Sequence, residues 1–327
     1  MKKVTVLGCG GWGMALALTA YKNGNKVTLW SAFSEEADAL RQNRTNERLL
    51  KDIFIPDGIL ITDDLSVVEG DDLTIIAVPS IAVREVAHKL SAYKNFGTVV
   101  NVSKGIENKT LKRLSQVIGE ELPEAPIVVL SGPSHAEEVA RDIPTSLVAV
   151  GSTASAAEMV QEIMTNENLR IYTSSDLIGV ELGGALKNVI AVAAGFCDGL
   201  GLGDNSKAAL ITRGLAEMSR LGVTMGAKEY TFAGLTGIGD LIVTCTSRHS
   251  RNNRFGFKVG TGTPVAEALN EVGTVEGYYA AKMAHELAKK HSIELPIIEE
   301  CYSVLYKNKD VRDVVPDLMT RPKRNEH

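Results

Sequence analysis

Three residues of this 327-residue chain have types and surroundings suited to proton chemistry. Lys187 lies in Gly183-Gly184-Ala185-Leu186-Lys187-Asn188, and the apolar run Val189-Ile190-Ala191-Val192 follows it. An amine in such surroundings is costly to charge unless paired, and desolvation lowers its pKa, which is how a lysine becomes a proton donor or acceptor near neutral pH. The alternative is a lysine at a helix start that snorkels its charge to water. Asp240, in Gly237-Ile238-Gly239-Asp240-Leu241-Ile242, reads either as a helix cap or as a buried partner for a lysine. Lys104, in Ser103-Lys104-Gly105, could hold a substrate or cofactor carbonyl, or be a solvated loop lysine. A fourth group, Ser247-Arg248-His249-Ser250-Arg251-Asn252-Asn253-Arg254, gathers three arginines with amides and hydroxyls. Arginine binds phosphate bidentately, so the run suits a phosphate; an exposed basic loop is the plainer reading.

These groups need a scaffold, and the N-terminus supplies its signature. Val4-Thr5-Val6-Leu7 reads as a short buried strand, Gly8-Cys9-Gly10-Gly11-Trp12-Gly13 follows, and Met14 to Leu18 is rich in helix formers. Two lysines before an apolar run also resemble a secretory signal, but a signal has no use for four glycines in six positions. A dinucleotide turn needs three: Gly8 for the tight turn, Gly10 for backbone approach to pyrophosphate, Gly13 for helix-on-strand packing. The helix N-terminus then offers unpaired N–H groups to the phosphates.

Length sets a prior of about two domains. With 44% hydrophobic and 23% charged residues the composition is that of a globular protein. The net charge of -5 gives no reason to expect nucleic acid or an anionic membrane, so an anionic ligand must be held by local charge. Cys9, Cys197, Cys245 and Cys301 show no C-x-x-C spacing, which argues against zinc and fits a reducing, cytoplasmic compartment. The longest later apolar run, Val189 to Cys197, falls short of the ~20 residues that span a bilayer. Only the tail, Arg321 to His327, looks frayed.

Strands are expected at Val27–Leu29, Leu73–Val78, Thr98–Val102, Ile127–Leu130 and Ser146–Val150, with helices at Ser34–Asn43, Ile81–Leu90, Thr110–Gly119 and Ser134–Ala140. The alternation predicts a parallel, Rossmann-like doubly wound α/β sheet. Asn43 to Asp64 reads as an insertion with a possible strand at Ile59–Ile61, and a helix runs from Thr153 to Met164. After Asp176 almost everything looks helical, so residues 1–176 are expected to bind the dinucleotide and 177–327 to form a helical substrate-binding and catalytic domain. Ligands of doubly wound sheets sit at the strands' carboxyl ends. Ser103-Lys104-Gly105 and Ser131-Gly132-Pro133-Ser134-His135 both fall there, Ser134 also reading as a helix N-cap with Glu137 at the capping-box position. The second strand's end, Thr28-Leu29-Trp30-Ser31-Ala32-Phe33, has no carboxylate before Glu35, which favours NADP, though no arginine stands there either.

Taken together, Gly8 to Gly13, Ser103-Lys104-Gly105, Leu130 to Ser134, Leu186-Lys187-Asn188, Gly239-Asp240-Leu241 and Ser250-Arg251-Asn252 resemble, in that order, the bacterial NAD(P)-dependent glycerol-3-phosphate dehydrogenases over nearly the whole chain. The resemblance implies reversible hydride transfer between NADPH or NADH and dihydroxyacetone phosphate, giving sn-glycerol 3-phosphate for phospholipid synthesis. It also implies a helical substrate domain and a homodimer. It makes Lys187 the proton acceptor, Lys104 a contact of substrate and nicotinamide, and Asp240 part of the pocket. Gly132, Ser134, Asn188, Ser250, Arg251 and Asn252 would bind substrate. Gly8, Gly10, Gly11, Trp12, Gly13, Lys104, Ala136, Arg251 and Glu276 would bind cofactor. Ala32-Phe33 departs from the family, many members carrying a basic residue there; His135 departs too and has no assigned role. A dehydrogenase of hydroxy acids or acyl thioesters and a non-catalytic nucleotide sensor are the rival readings.

Overall fold

A computed structural model describes residues 1–323 and 325–326; in the tail, Arg324 and His327 lie outside the described residues. The strands are β1 Lys3–Leu7, β2 Lys26–Trp30, β3 Thr45–Asn46, β4 Leu50–Phe54, β5 Leu60–Thr62, β6 Leu73–Ile76, β7 Thr98–Asn101, β8 Ile127–Ser131, β9 Thr145–Gly151 and β10 Leu169–Ser174. The helices of the first half are α1 Gly11–Lys22, α2 Ser34–Asn43, α3 Val83–Leu90, α4 Leu114–Glu121, α5 Ala136–Val139 and α6 Ala154–Met164. From Leu177 onward the chain is helical: α7 Leu177–Gly199, α8 Asp204–Thr224, α9 Glu229–Phe232, α10 Asp240–Thr246, α11 Arg251–Gly260, α12 Val265–Val272, α13 Glu276–His291, α14 Pro296–Lys307 and α15 Val314–Met319.

Eight strands form one sheet in the order β10-β9-β8-β7-β6-β1-β2-β5, and β3 and β4 form a separate hairpin. β1 lies between β2 and β6, Leu7 in register with both Trp30 and Ile76. The strand order reverses there, so the glycine turn after β1 opens at the switch point where doubly wound sheets bind ligands. Apart from Lys3 the central strands β1, β6 and β7 are buried throughout, which is why they are apolar but for threonines and Asn101, as in Val4-Thr5-Val6-Leu7.

The sheet is not wholly parallel. β8 pairs antiparallel with β9, and β10 runs parallel to β9. A parallel return needs a crossover of a dozen or more residues, usually through a helix long enough to recross the sheet. The only helix between β8 and β9 is the four-residue α5, and the chain comes back from the same end. Two expected helices change accordingly. Ser134–Ala140 contracts to α5, whose N-cap is His135, so Ser134 is not a capping residue. Thr110–Gly119 starts late, at Leu114, because Leu111 takes a left-handed φ of 58° and Ile106 bridges back to Arg113.

α7 forms the core of the helical part and is buried from Gly179 to Cys197. It is the one helix among the described residues long and apolar enough to cross a membrane, but 89% of that window is buried inside the molecule. α11 crosses it at backbone distance. A Cβ on Gly195 would lie 2.2 Å from the Asn253 carbonyl oxygen, one on Gly256 2.1 Å from that of Val192, and one on Gly199 2.4 Å from that of Phe257. On α8, the buried Glu217 carboxylate accepts the N–H groups of Ile297 (2.8 Å) and Ile298 (3.1 Å) in the first turn of α14. Burial pushes this carboxyl up to about 7, against the pull of those two N–H groups.

Candidate active site

The glycine turn is built as a dinucleotide turn demands. Gly8 has φ 122°, and a Cβ there would strike the Ala77 carbonyl at 2.6 Å. A Cβ on Gly13 would sit 2.0 Å from the Gly8 oxygen, so α1 packs on β1 through bare backbone. Gly10 is different: a Cβ would meet nothing within 4 Å, so the protein itself sets no demand for glycine there. The open side of Gly10 is where a pyrophosphate approaches backbone. The Trp12 Nε1–H is buried in the first turn of α1 with no hydrogen-bond partner. A buried orphan donor and an unfilled glycine face both fit a bound dinucleotide. Ala136 borders this turn, 3.5 Å from a Cβ on Gly11.

The sheet and the helical part are joined by a lysine–aspartate–lysine bridge. Lys187, on α7, donates to Asp240 Oδ1 at 2.7 Å and to Thr244 Oγ1 at 2.6 Å. Lys104, after β7, donates to Asp240 Oδ2 at 2.7 Å, to the Gly132 carbonyl at 2.8 Å and to Ser134 Oγ at 3.2 Å. Asp240 therefore ties one lysine from the sheet to one from the helical part. It sits at the first position of α10, directly after one π-helical turn, Leu235–Gly239. Asp240 is 1% exposed and Lys187 5%, so this pair is buried rather than capping or snorkelling. Burial is the largest effect on Lys187 and lowers it; Asp240 pulls it up, Lys104 pushes it down, and it settles at about 8. Burial alone would raise Asp240, but Lys104 and Lys187 together outweigh it and hold the carboxyl below its ordinary value. Lys187 is thus close to its transition just above neutral pH, beside a carboxylate held in its charged form.

The arginine-rich run resolves into a helix start. Ser250 is the N-cap of α11, its Oγ accepting the Asn253 N–H at 3.2 Å. Arg251 occupies the first helical position and is exposed; Arg248 and Arg254 are exposed as well. Asn252 is buried, donating to Asn188 Oδ1 at 2.9 Å and accepting the Gly277 N–H at 2.9 Å. The α7–α11 crossing thus brings Asn188, next to Lys187, against the start of α11. Glu276 accepts from the Ser80 N–H at 3.0 Å and Ser80 Oγ at 2.5 Å, a second tie between the two halves. Burial raises the Glu276 carboxyl, while Ser80 and the nearby Arg251 pull the other way. A third tie joins Glu181 of α7 to the Ser115 N–H and Oγ, at 2.8 and 2.6 Å, at the start of α4. His135 Nε2 lies 3.4 Å from the Val243 carbonyl, and burial lowers its pKa.

Hydrogen bonds join Lys104, Gly132, Ser134, Lys187 and Asp240 in one cluster, Asn188, Asn252 and Gly277 in a second, and Glu276 to Ser80 in a third. Thr244 was missed. It accepts from Lys187 and donates to the Asp240 carbonyl at 2.6 Å. The available signal was its spacing, four residues after Asp240 and so on the same face of a short helix. Ser80 stands at a strand's carboxyl end as the sequence suggests, but its tie to Glu276 and the Glu181 tie were missed; each pairs residues far apart in the chain, which no local pattern reveals.

A glycine turn at a sheet's switch point, together with a buried lysine lowered to about 8, fits an NAD(P)-dependent oxidoreductase. Residues 3–157 match the N-terminus of the NAD-dependent glycerol-3-phosphate dehydrogenases, and residues 176–316 match the C-terminus of the same family. Glycerol-3-phosphate dehydrogenase [NAD(P)+] of Desulfitobacterium hafniense is 51% identical over 328 residues, covering 100% of this chain and 93% of that protein. That of Fusobacterium nucleatum is 50% identical, covering 100% and 99%. Among solved structures, glycerol-3-phosphate dehydrogenase from Coxiella burnetii superposes with a TM-score of 0.94 at 38% identity, covering 98% of this chain and 99% of that one. The chain belongs to the NAD-dependent glycerol-3-phosphate dehydrogenase family.

Proposed function

We propose that this chain interconverts dihydroxyacetone phosphate and sn-glycerol 3-phosphate with NADH or NADPH, feeding phospholipid synthesis. The Lys187–Asp240–Lys104 bridge carries this reading. When bound, the nicotinamide supplies or accepts the hydride; the chain's own residues do the rest. Lys187, as ammonium, hydrogen-bonds the carbonyl oxygen and donates its proton as charge develops there. A pKa of about 8 lets it give the proton in reduction and take it back in oxidation. Lys104 adds positive charge beside the same oxygen and reaches Ser134 and Gly132, the substrate side of the β8 loop. Asp240 holds both ammoniums in place and offsets their repulsion. Ser250, Arg251 and Asn252, with the unpaired N–H groups of the α11 start, hold the phosphate, with Asn188 beside them. Binding energy at that remote phosphate positions the reacting carbon. Gly8, Gly10, Gly11, Trp12, Gly13, Ala136 and Glu276 line the cofactor's place.

The same reading divides the chain into a nucleotide domain, 1–176, and a helical domain, 177–327. The gap between β10 and α7 supports the boundary. It also includes a cytoplasmic homodimer; the four free cysteines support a reducing compartment. Oxidation of NADH and NADPH, followed separately with dihydroxyacetone phosphate, tests the activity. Lys187→Ala should lower turnover by about 10²- to 10⁴-fold with cofactor affinity retained. Cofactor binding without turnover in the unsubstituted protein would favour a nucleotide sensor, and turnover of hydroxy acids instead would favour the other dehydrogenase reading.

A further inference from the structure

The structure assigns Glu36 as the carboxylate that receives the adenosine ribose, and with it a preference for NADH over NADPH. This rests on the oxidoreductase reading above. Dinucleotide folds place an acidic side chain at the end of the second strand, about 20 residues after the glycines, where it accepts a hydrogen bond from the ribose 2′-hydroxyl. The end of β2 borders the glycine turn directly, since the Gly8 N–H donates to the Trp30 carbonyl at 2.8 Å. The next residue, Ser31, is 1% exposed and uncharged. Its Oγ donates to Glu36 Oε2 and accepts the Phe33 N–H at 3.2 Å. The first turn of α2 therefore brings a carboxylate back to the place that the strand leaves without one. Glu36 is partly exposed, and its Oε1 makes no hydrogen bond among the described residues.

The cations that a 2′-phosphate needs are not arranged here. Ala32, Phe33, Ser34 and Glu35 are exposed along this rim, and none is basic; Phe33 alone is 70% exposed. Arg41 faces Asp38 and Asp63. Arg44 donates to the Ile59 carbonyl at 2.8 Å and faces Asp57. Arg48 and Lys51, both on the β3–β4 hairpin, are exposed with no ion pair among the described residues, but neither lies on the rim from Ala32 to Glu35. A phosphate monoester brings nearly two negative charges toward Glu36, whereas the 2′-hydroxyl of NADH brings a donor. The NADP preference expected from Thr28 to Phe33 looked for the carboxylate in the strand's own line; the helix supplies it instead.

Isothermal titration of the full-length protein with NADH and NADPH tests this without turnover. NADH should bind at least about tenfold more tightly. Glu36→Gln keeps an acceptor for Ser31 but removes the charge, and should tighten NADPH about tenfold while weakening NADH by about three- to tenfold; unchanged NADH affinity would mean that the carboxylate does not hold the ribose. Phe33→Arg, at an exposed position, should also tighten NADPH. Equal binding of the two dinucleotides, or tighter NADPH that is lost in Arg48→Ala, would overturn the assignment while leaving the oxidoreductase reading intact. So would a Glu36→Gln protein that loses both cofactors equally, which is what a purely structural carboxylate predicts. Binding of neither dinucleotide to the unsubstituted protein would overturn the oxidoreductase reading, and this assignment with it.

Discussion

Replacing Asp240 by asparagine tests the proposed chemistry most directly, because it keeps the side chain's shape and removes the charge that two lysines share. In the folded protein Asp240 is 1% exposed and accepts from Lys187 and Lys104 at 2.7 Å each. Its attraction is the main influence raising Lys187 against burial, leaving that amine at about 8. A hydrogen bond to a charged group contributes about 1.5–3 kcal/mol, and one pKa unit corresponds to about 1.36 kcal/mol. The Lys187 transition should therefore move down by about one to two units in Asp240→Asn. The sign in the assay follows from which form acts. Reduction of dihydroxyacetone phosphate needs the ammonium, so turnover falls as pH rises through about 8 in the unsubstituted enzyme, and through a lower pH in the variant. Oxidation of glycerol 3-phosphate needs the free amine and shows the opposite limb. The assay is turnover against pH at saturating cofactor and substrate, with circular dichroism to confirm the fold. A variant that is folded and active with its midpoint unmoved, or moved upward, would refute the claim that Asp240 sets the protonation of Lys187.

Gly10→Val should fold normally, since its Cβ meets no protein atom within 4 Å, yet bind dinucleotide weakly in a fluorescence titration. Gly13→Ala should instead destabilise the protein, because its Cβ would lie 2.0 Å from the Gly8 oxygen, and its melting temperature reports this. Arg251→Lys should raise KM for dihydroxyacetone phosphate by about one to two powers of ten while hardly changing use of phosphate-free dihydroxyacetone, both at saturating cofactor. Glu217, raised from 4.5 to about 7, binds more protons folded than unfolded between those values, so its stabilising contribution is complete below about 4.5 and is lost as pH rises to 7. That loss is worth up to about 3 kcal/mol, and Glu217→Gln should flatten this part of the stability profile in denaturant titrations from pH 5 to 8.

The glycine turn was legible because its constraints are local: three backbone positions within six residues. Ser34–Asn43 and the central strands were legible for the same reason, their burial being written as periodicity or as an apolar run. The direction of β9 was not, because it depends on where a one-turn helix returns the chain rather than on the strand's own residues. β10 was missed although Leu169 and Ile171 alternate with exposed neighbours, since a strand of six residues beside a change in chain character offers little pattern. At the site, Lys187, Asp240 and Lys104 could be picked out by type and apolar context. That they form one bridge could not, because it joins residues 53 and 136 positions apart.

The bare-backbone crossing of α7 and α11 acts as a ruler. α7 carries Lys187 near its middle, and α11 begins with the residues assigned to the phosphate. Where Gly195, Gly199 and Gly256 meet the opposing backbone there are no side chains to repack and no slack to take up. The spacing of the two helices at the crossing is therefore set by main-chain geometry, and with it the span from Lys187 to the start of α11. If the proposed roles hold, a substrate one carbon longer would not seat its carbonyl at the amine and its phosphate at the turn together. Adding a single methyl at the crossing would lengthen the gauge and spoil the fit for the three-carbon substrate. On the proposed roles, discrimination by chain length would then depend on glycines that touch no ligand at all.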